Sequence, residues 1–110
     1  MQSTNPYINT IDIQAKEWFD RINGNSYFSG QVTLDYGQET EKTFYMPFQY
    51  GYGDQYLHQA WKVIQENGYV PDPKPFQLMT VYAREHNIPL RYSIQDKCKK
   101  RDVQAFGEAF

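Results

Sequence analysis

Cysteine is almost absent from this chain: Cys98 stands alone among 110 residues, so no internal disulfide can close and no thiolate-rich zinc site can form. A reducing compartment fits that usage. Histidine is nearly as scarce. His58 and His86 are the only two, and neither has a partner at the spacing of a metal-binding helix such as H-E-x-x-H. No run approaches the ~18 apolar residues of a membrane-spanning helix, and the first residues lack the basic and apolar regions of a signal peptide. Cytoplasmic placement without membrane contact is therefore expected. Charge of one sign is not in large excess either. The net charge is −2, too small for a mimic of DNA and of the wrong sign for a non-specific duplex binder.

Catalytic groups are sparse in the same way. Ser26, Ser29 and Ser93 lack the G-x-S-x-G setting of a nucleophile elbow. Cys98 stands among lysines, which can lower a thiol pKa, but no nucleophile motif surrounds it. The carboxylates are scattered. No enzyme activity, metal or cofactor is expected.

What the chain does have is aromatic surface. Ten Tyr, seven Phe and two Trp make 17% of the residues, and such rings carry large apolar area with few rotamers to freeze, in small cores and binding surfaces alike. Charge is also unevenly spread. Residues 1–55 hold seven acidic against three basic side chains, and residues 56–110 hold six against eight.

The length suits one domain. Residues 1–10 are polar and expected to be loose, residues 11–102 to form a single α+β domain, and residues 103–110 to be a tail with at most one amphipathic turn. Residues 11–22 fit a helical stripe through Ile11, Ala15, Trp18 and Ile22 as well as an alternating strand. The dipeptide Asn23-Gly24 decides for a strand, because it favours the two-residue turn of a hairpin into a second strand over about 26–35. A third strand is read over 42–49, with Phe44, Met46 and Phe48 on one side. Pro47 places it at an edge or at a bulge.

A helix over 55–67 follows, with Asp54 as its cap and Leu57, Ala60, Trp61 and Ile64 as its apolar stripe. Pro75 opens a second helix over 76–87, and Leu90, Tyr92 and Ile94 alternate as a fourth strand. The expected architecture is β-β-β-α-α-β, a small antiparallel sheet with two helices packed on one face.

The densest segment is Phe44-Tyr-Met-Pro-Phe-Gln-Tyr-Gly-Tyr-Gly-Asp-Gln-Tyr56. Its alternating glycines let the backbone turn sharply and approach a ligand while the rings stay splayed, and it runs into a helix N-terminus, which favours an anion. It matches neither a dinucleotide fingerprint nor a P-loop. A turn whose tyrosines complete the core is the competing reading. With Phe44, Phe48 and Tyr56 given to the core, the candidate binding residues are Tyr45, Gln49, Tyr50, Tyr52 and Gln55. Asn25 and Tyr27 on the hairpin are a second candidate, against a plain solvated turn. Lys97, Lys99, Lys100 and Arg101 are candidates for contact with phosphate or an acidic partner, against a solvated charge run.

Two passages, Trp18-Phe-Asp-Arg-Ile-Asn-Gly-Asn-Ser-Tyr-Phe-Ser29 and Met46-Pro-Phe-Gln-Tyr-Gly-Tyr-Gly-Asp-Gln-Tyr56, resemble small accessory proteins encoded by tailed bacteriophages. The basic segment Asp96-Lys-Cys-Lys-Lys-Arg101 is similar to an end found in that group. The resemblance spans most of residues 11–101 and carries over no catalytic residue. It implies a setting in the cytosol of an infected host, with a host protein or defence complex as partner. The expectation that follows is a non-enzymatic anti-defence protein that blocks a host factor, anti-CRISPR-like or binding a signal nucleotide. The alternative is a single-stranded nucleic-acid module that stacks bases on exposed tyrosines. A homo-oligomer fits either.

Overall fold

The computed structural model describes residues 7–71 and 73–108. The elements are β1 (Ile11–Asp20), β2 (Asn25–Leu34), β3 (Lys42–Tyr50), α1 (Gln55–Glu66), α2 (Met79–Glu85), β4 (Leu90–Gln95) and α3 (Lys100–Phe106). The α+β class and the order β-β-β-α-α-β hold. The sheet order is β3-β2-β1-β4, and β4 joins β1 in parallel. The sheet is therefore mixed rather than antiparallel. The reason is the crossover through α1 and α2, which carries the chain across one face and returns it in the direction of β1, as a helical crossover requires.

One face of the sheet makes the main core. Ile11, Ile13 and Ala15 from β1, Phe28, Val32 and Leu34 from β2 and Met46 from β3 are buried there with Tyr56, Ala60, Trp61 and Ile64 of α1 and Met79, Tyr82 and Ala83 of α2. The predicted stripe of α1 is the buried one, with Leu57 partly buried beside it. Asp54 stands at the N-cap, but its carboxylate makes no cap bond. The second helix is shorter than the sequence suggests. Phe76 takes the left-handed conformation (φ 61°), and the Trp61 indole N–H donates to the Gln77 carbonyl at 2.9 Å, so the backbone before Met79 is spent on α1 rather than on a helical turn.

The third helix, α3, lies on the opposite face, so helices cover both faces rather than one. The Ser29 hydroxyl, fully buried, donates to the Val103 carbonyl, and the Gln31 amide donates to the Phe106 carbonyl at 3.2 Å. Val103 is fully buried. The folded unit thus runs past residue 102, and it also begins before residue 11: Ile8 is buried, and the backbone N–H groups of Asn9 and Thr10 donate to Asp35. Residues 1–6 of the expected loose start and 109–110 of the expected tail lie outside the described residues.

Gly107 closes α3 by close approach, not by conformation, since its φ is −89°. A Cβ there would sit 2.5 Å from the Met46 carbonyl oxygen and 2.7 Å from the Ser29 Cβ. Gly107→Ala is expected to lift α3 and cost about 1–3 kcal/mol, the range for overpacking a close contact. Urea unfolding followed by tryptophan fluorescence measures it; an unchanged midpoint would show that α3 is not seated on β2 and β3.

Candidate functional site

The face that carries α3 has a second feature at the hairpin end. The β1–β2 register sets Trp18 opposite Tyr27, and the β2–β3 register sets Tyr27 opposite Tyr50. Directly paired residues share a face, so these rings meet. Trp18 and Tyr27 lie 5.6 Å apart between centroids, and Tyr50 meets Tyr27 edge-on at 5.8 Å.

Phe48 joins them. The β2–β3 register shifts between Phe28 and Gly30, which leaves one extra β3 residue at Pro47-Phe48 and turns Phe48 away from the core it was expected to fill. Its ring stacks on Tyr27 at 5.2 Å with 4° between planes and lies 6.3 Å from Trp18. β3 is both an edge strand and a bulged one, as Pro47 requires.

The hairpin turn builds this cluster. The loop has four residues, 21–24, and closes with Asp20 paired to Asn25. Only Gly24 is left-handed there (φ 70°), so this is not the expected two-residue turn. The Asp20 carboxylate governs the loop by accepting from Ile22 N–H at 3.0 Å, Asn23 N–H at 3.3 Å and the Asn23 amide at 2.8 Å. Such bonds favour a turn built on the aspartate. The Asn23 amide bond leads in holding the Asp20 carboxyl below its usual pKa.

Cations stand beside the rings. Lys100 of α3 places its ammonium 5.3 Å from the Trp18 ring centroid, and Lys16 stands 4.8 Å from that of Phe106; contacts of this type attract a cation to the ring face. Lys97, Lys99 and Arg101 are exposed around the same end. Lys97 and Lys99 line a cleft of about 540 Å³ with Trp18, Phe19 and Arg21. Phe19 is half exposed and Ile22, at the loop tip, almost wholly so. Phe19, Ile22 and Tyr50 thereby expose apolar surface at the hairpin end, while Phe76 and Leu78 expose theirs before α2.

Acids are interleaved with these cations. Glu17 and Asp96 line the same cleft. Burial, then the nearby Asp96 charge, pushes the Glu17 carboxyl above its usual range. A raised carboxylate pKa means that the folded state gives up its proton less readily than the unfolded chain, so stability falls as pH rises through that range. Glu17→Gln is therefore expected to raise stability at pH 7, with the gain vanishing as pH drops below the ordinary glutamate pKa. Thermal unfolding of both proteins across pH 3–7 checks this; a gain that persists at low pH would contradict it.

Of the residues singled out from sequence, Tyr27, Tyr50 and Lys100 come together in this cluster. Tyr45 lies on the same face opposite Gln31, partly buried, and Asn25 flanks the cluster in the terminal pair with Asp20. Gln49 pairs with Phe28 on the other face, and its amide donates to the Pro47 carbonyl at 2.9 Å. Tyr52 is 70% exposed at the turn beyond β3. Gln55 opens α1, its Cγ 2.9 Å from where a Gly51 Cβ would lie. Gly51 itself is buried against the Phe28 ring, and Gly53 supplies a left-handed turn (φ 62°). Gly51 serves packing and Gly53 chain direction. Trp18 and Phe48 were missed as surface residues.

His58 lies 3.9 Å from the Asp54 carboxylate, exposed, and the His86 ring stacks on Tyr82 at 4.0 Å. The Cys98 thiol points at the Gln95 carbonyl, 3.3 Å away. Comparison with protein-family models, with curated proteins and with solved structures finds no match to this chain. No helix among the described residues is long and apolar enough to cross a membrane.

Proposed function

We propose that the chain is a non-enzymatic binding protein that engages another protein through Trp18, Tyr27, Phe48 and Tyr50 with Lys100 at their side. With the phage-like passages around Trp18 and Met46, the fitting partner is a host factor that the protein blocks. The observation that carries this reading is how the rings use one another. Tyr27 and Phe48 are stacked together and Trp18 has Lys100 over it, so ring faces that a row of nucleobases would need are already occupied. Tyr50, more than half exposed, and the Lys100 ammonium stand beside them. That combination of Trp, Tyr and basic side chains suits the centre of a protein interface.

The interleaved acids point the same way, since Glu17 and Asp96 beside Lys97 and Lys99 would repel a phosphate backbone. Affinity capture from a bacterial host lysate with the wild type and with Tyr27→Ser/Tyr50→Ser tests the proposal. A partner held by the wild type and lost by the folded double variant is expected. Identical partners, or salt-sensitive binding of single-stranded DNA or RNA in place of a protein, would overturn it.

A further inference from the structure

The two edges of the sheet are not equivalent. At β3 the edge starts with Lys42 and is interrupted by Pro47, which lacks an N–H, and by the bulge beside it. Those are common guards against strand addition. At β4 the strand Leu90–Gln95 contains no proline and no lysine. Its one charge, Arg91, is folded back onto its own sheet: Nε lies 2.7 Å from Asp12 Oδ1, and Nη2 donates to Oδ2 at 3.1 Å.

The hydrogen-bonding groups of this edge can be assigned. Ile11 N–H donates to the Pro89 carbonyl at 2.9 Å, with Ile11 registered against Leu90. In a parallel ladder Ile11 then bonds to the residues flanking Leu90, and the pattern repeats at Ile13 and Ala15. Arg91, Ser93 and Gln95 therefore turn their backbone groups to β1, while Leu90, Tyr92 and Ile94 turn theirs outward.

We infer that this edge pairs antiparallel with β4 of a second copy, about a two-fold axis at Tyr92. This goes beyond the proposed function and does not depend on it. In that register Tyr92 faces Tyr92 of the second copy and Leu90 faces its Ile94, so every outward N–H and carbonyl on the three residues finds a partner. Directly opposed residues share a face. Leu90 and Ile94, already packed against the core, meet on the helix-packed side and extend it. On the other side Arg91 meets Ser93, so no like charges are opposed. Moving the axis to Ser93 sets Leu90 against Asp96 and leaves the apolar ladder broken. The contact is isologous, as a two-fold dimer requires. Six strand residues per copy make a seam below the standard interface size of about 800 Å² per partner, so the dimer is concentration-dependent.

Sedimentation velocity from low micromolar to near-millimolar protein tests this with four proteins. The wild type is expected to shift from monomer to dimer. Tyr92→Lys, which opposes two ammonium groups across the axis, and Ser93→Arg, which opposes Arg91, are each expected to weaken the dimer about tenfold or more. Thr43→Lys on the other edge is expected to behave as the wild type. In parallel, amide exchange should slow at Leu90, Tyr92 and Ile94 as concentration rises. A wild type that stays monomeric overturns the inference. So does a dimer that survives both β4 substitutions or leaves those three amides unprotected.

Discussion

Phe28→Ala is expected to lower the unfolding free energy by about 3–5 kcal/mol, the range for removing a fully buried aromatic ring. Phe28 is 1% exposed and fills the space between β2 and the turn after β3. Its ring edge comes within 2.6 Å of where a Gly51 Cβ would stand, so backbone, not a flexible side chain, walls the site on that side. Such a wall cannot collapse to fill the cavity, which puts the cost toward the upper part of the range. Against the total of about 5–15 kcal/mol typical of a domain, this leaves a marginal protein. With a urea dependence of about 1–3 kcal/mol per molar, the midpoint should fall by roughly 2 M. A loss below about 1 kcal/mol would mean that β2 does not anchor the core as described.

Tyr27→Ala is expected to separate binding from folding. Tyr27 is only partly buried, yet it touches Trp18, Phe48 and Tyr50. Its removal should cost the fold about 1 kcal/mol, in line with a lost cross-strand aromatic contact. Affinity for the protein partner should fall by about 2–4 kcal/mol, a hot-spot loss of roughly 30- to 1,000-fold. The difference arises because one ring props three others, so its loss reshapes the whole surface. Lys100→Ala should weaken binding less, since it removes one cation from the Trp18 ring and leaves the rings in place. Calorimetric titration of the captured partner with each variant gives the comparison. Equal losses from Tyr27→Ala and from Tyr36→Ala, an exposed tyrosine outside this cluster, would remove the cluster's special status.

Much of the fold was legible because hydrophobic period and punctuation agreed. Strand β2, the α1 stripe and the edge position of β3 at Pro47 all follow from local patterns. Two local details hid the site. A two-residue turn at Asn23-Gly24 would set Trp18 opposite Ser29; the four-residue loop held by Asp20 sets it opposite Tyr27. A two-residue alternation through β3 would bury Phe48; the extra residue beside Pro47 turns it to the other face. The first is a shift of two residues, which changes Trp18's partner but not its face; the second is a shift of one, which moves a side chain across the sheet. The parallel pairing of β4 and the docking of α3 were not legible, since both rest on contacts distant in sequence, such as Ser29 with Val103 and Ile11 with Leu90.

The most direct test of the binding face is a hydrogen-exchange footprint of the protein with and without its captured partner. Slowed exchange is predicted around Trp18, across Asn25–Tyr27, through Phe48 and Tyr50, and at Lys100 at the start of α3. A footprint on the α1–α2 side, around Leu57 and Leu78, with the hairpin end unchanged, would contradict the assignment.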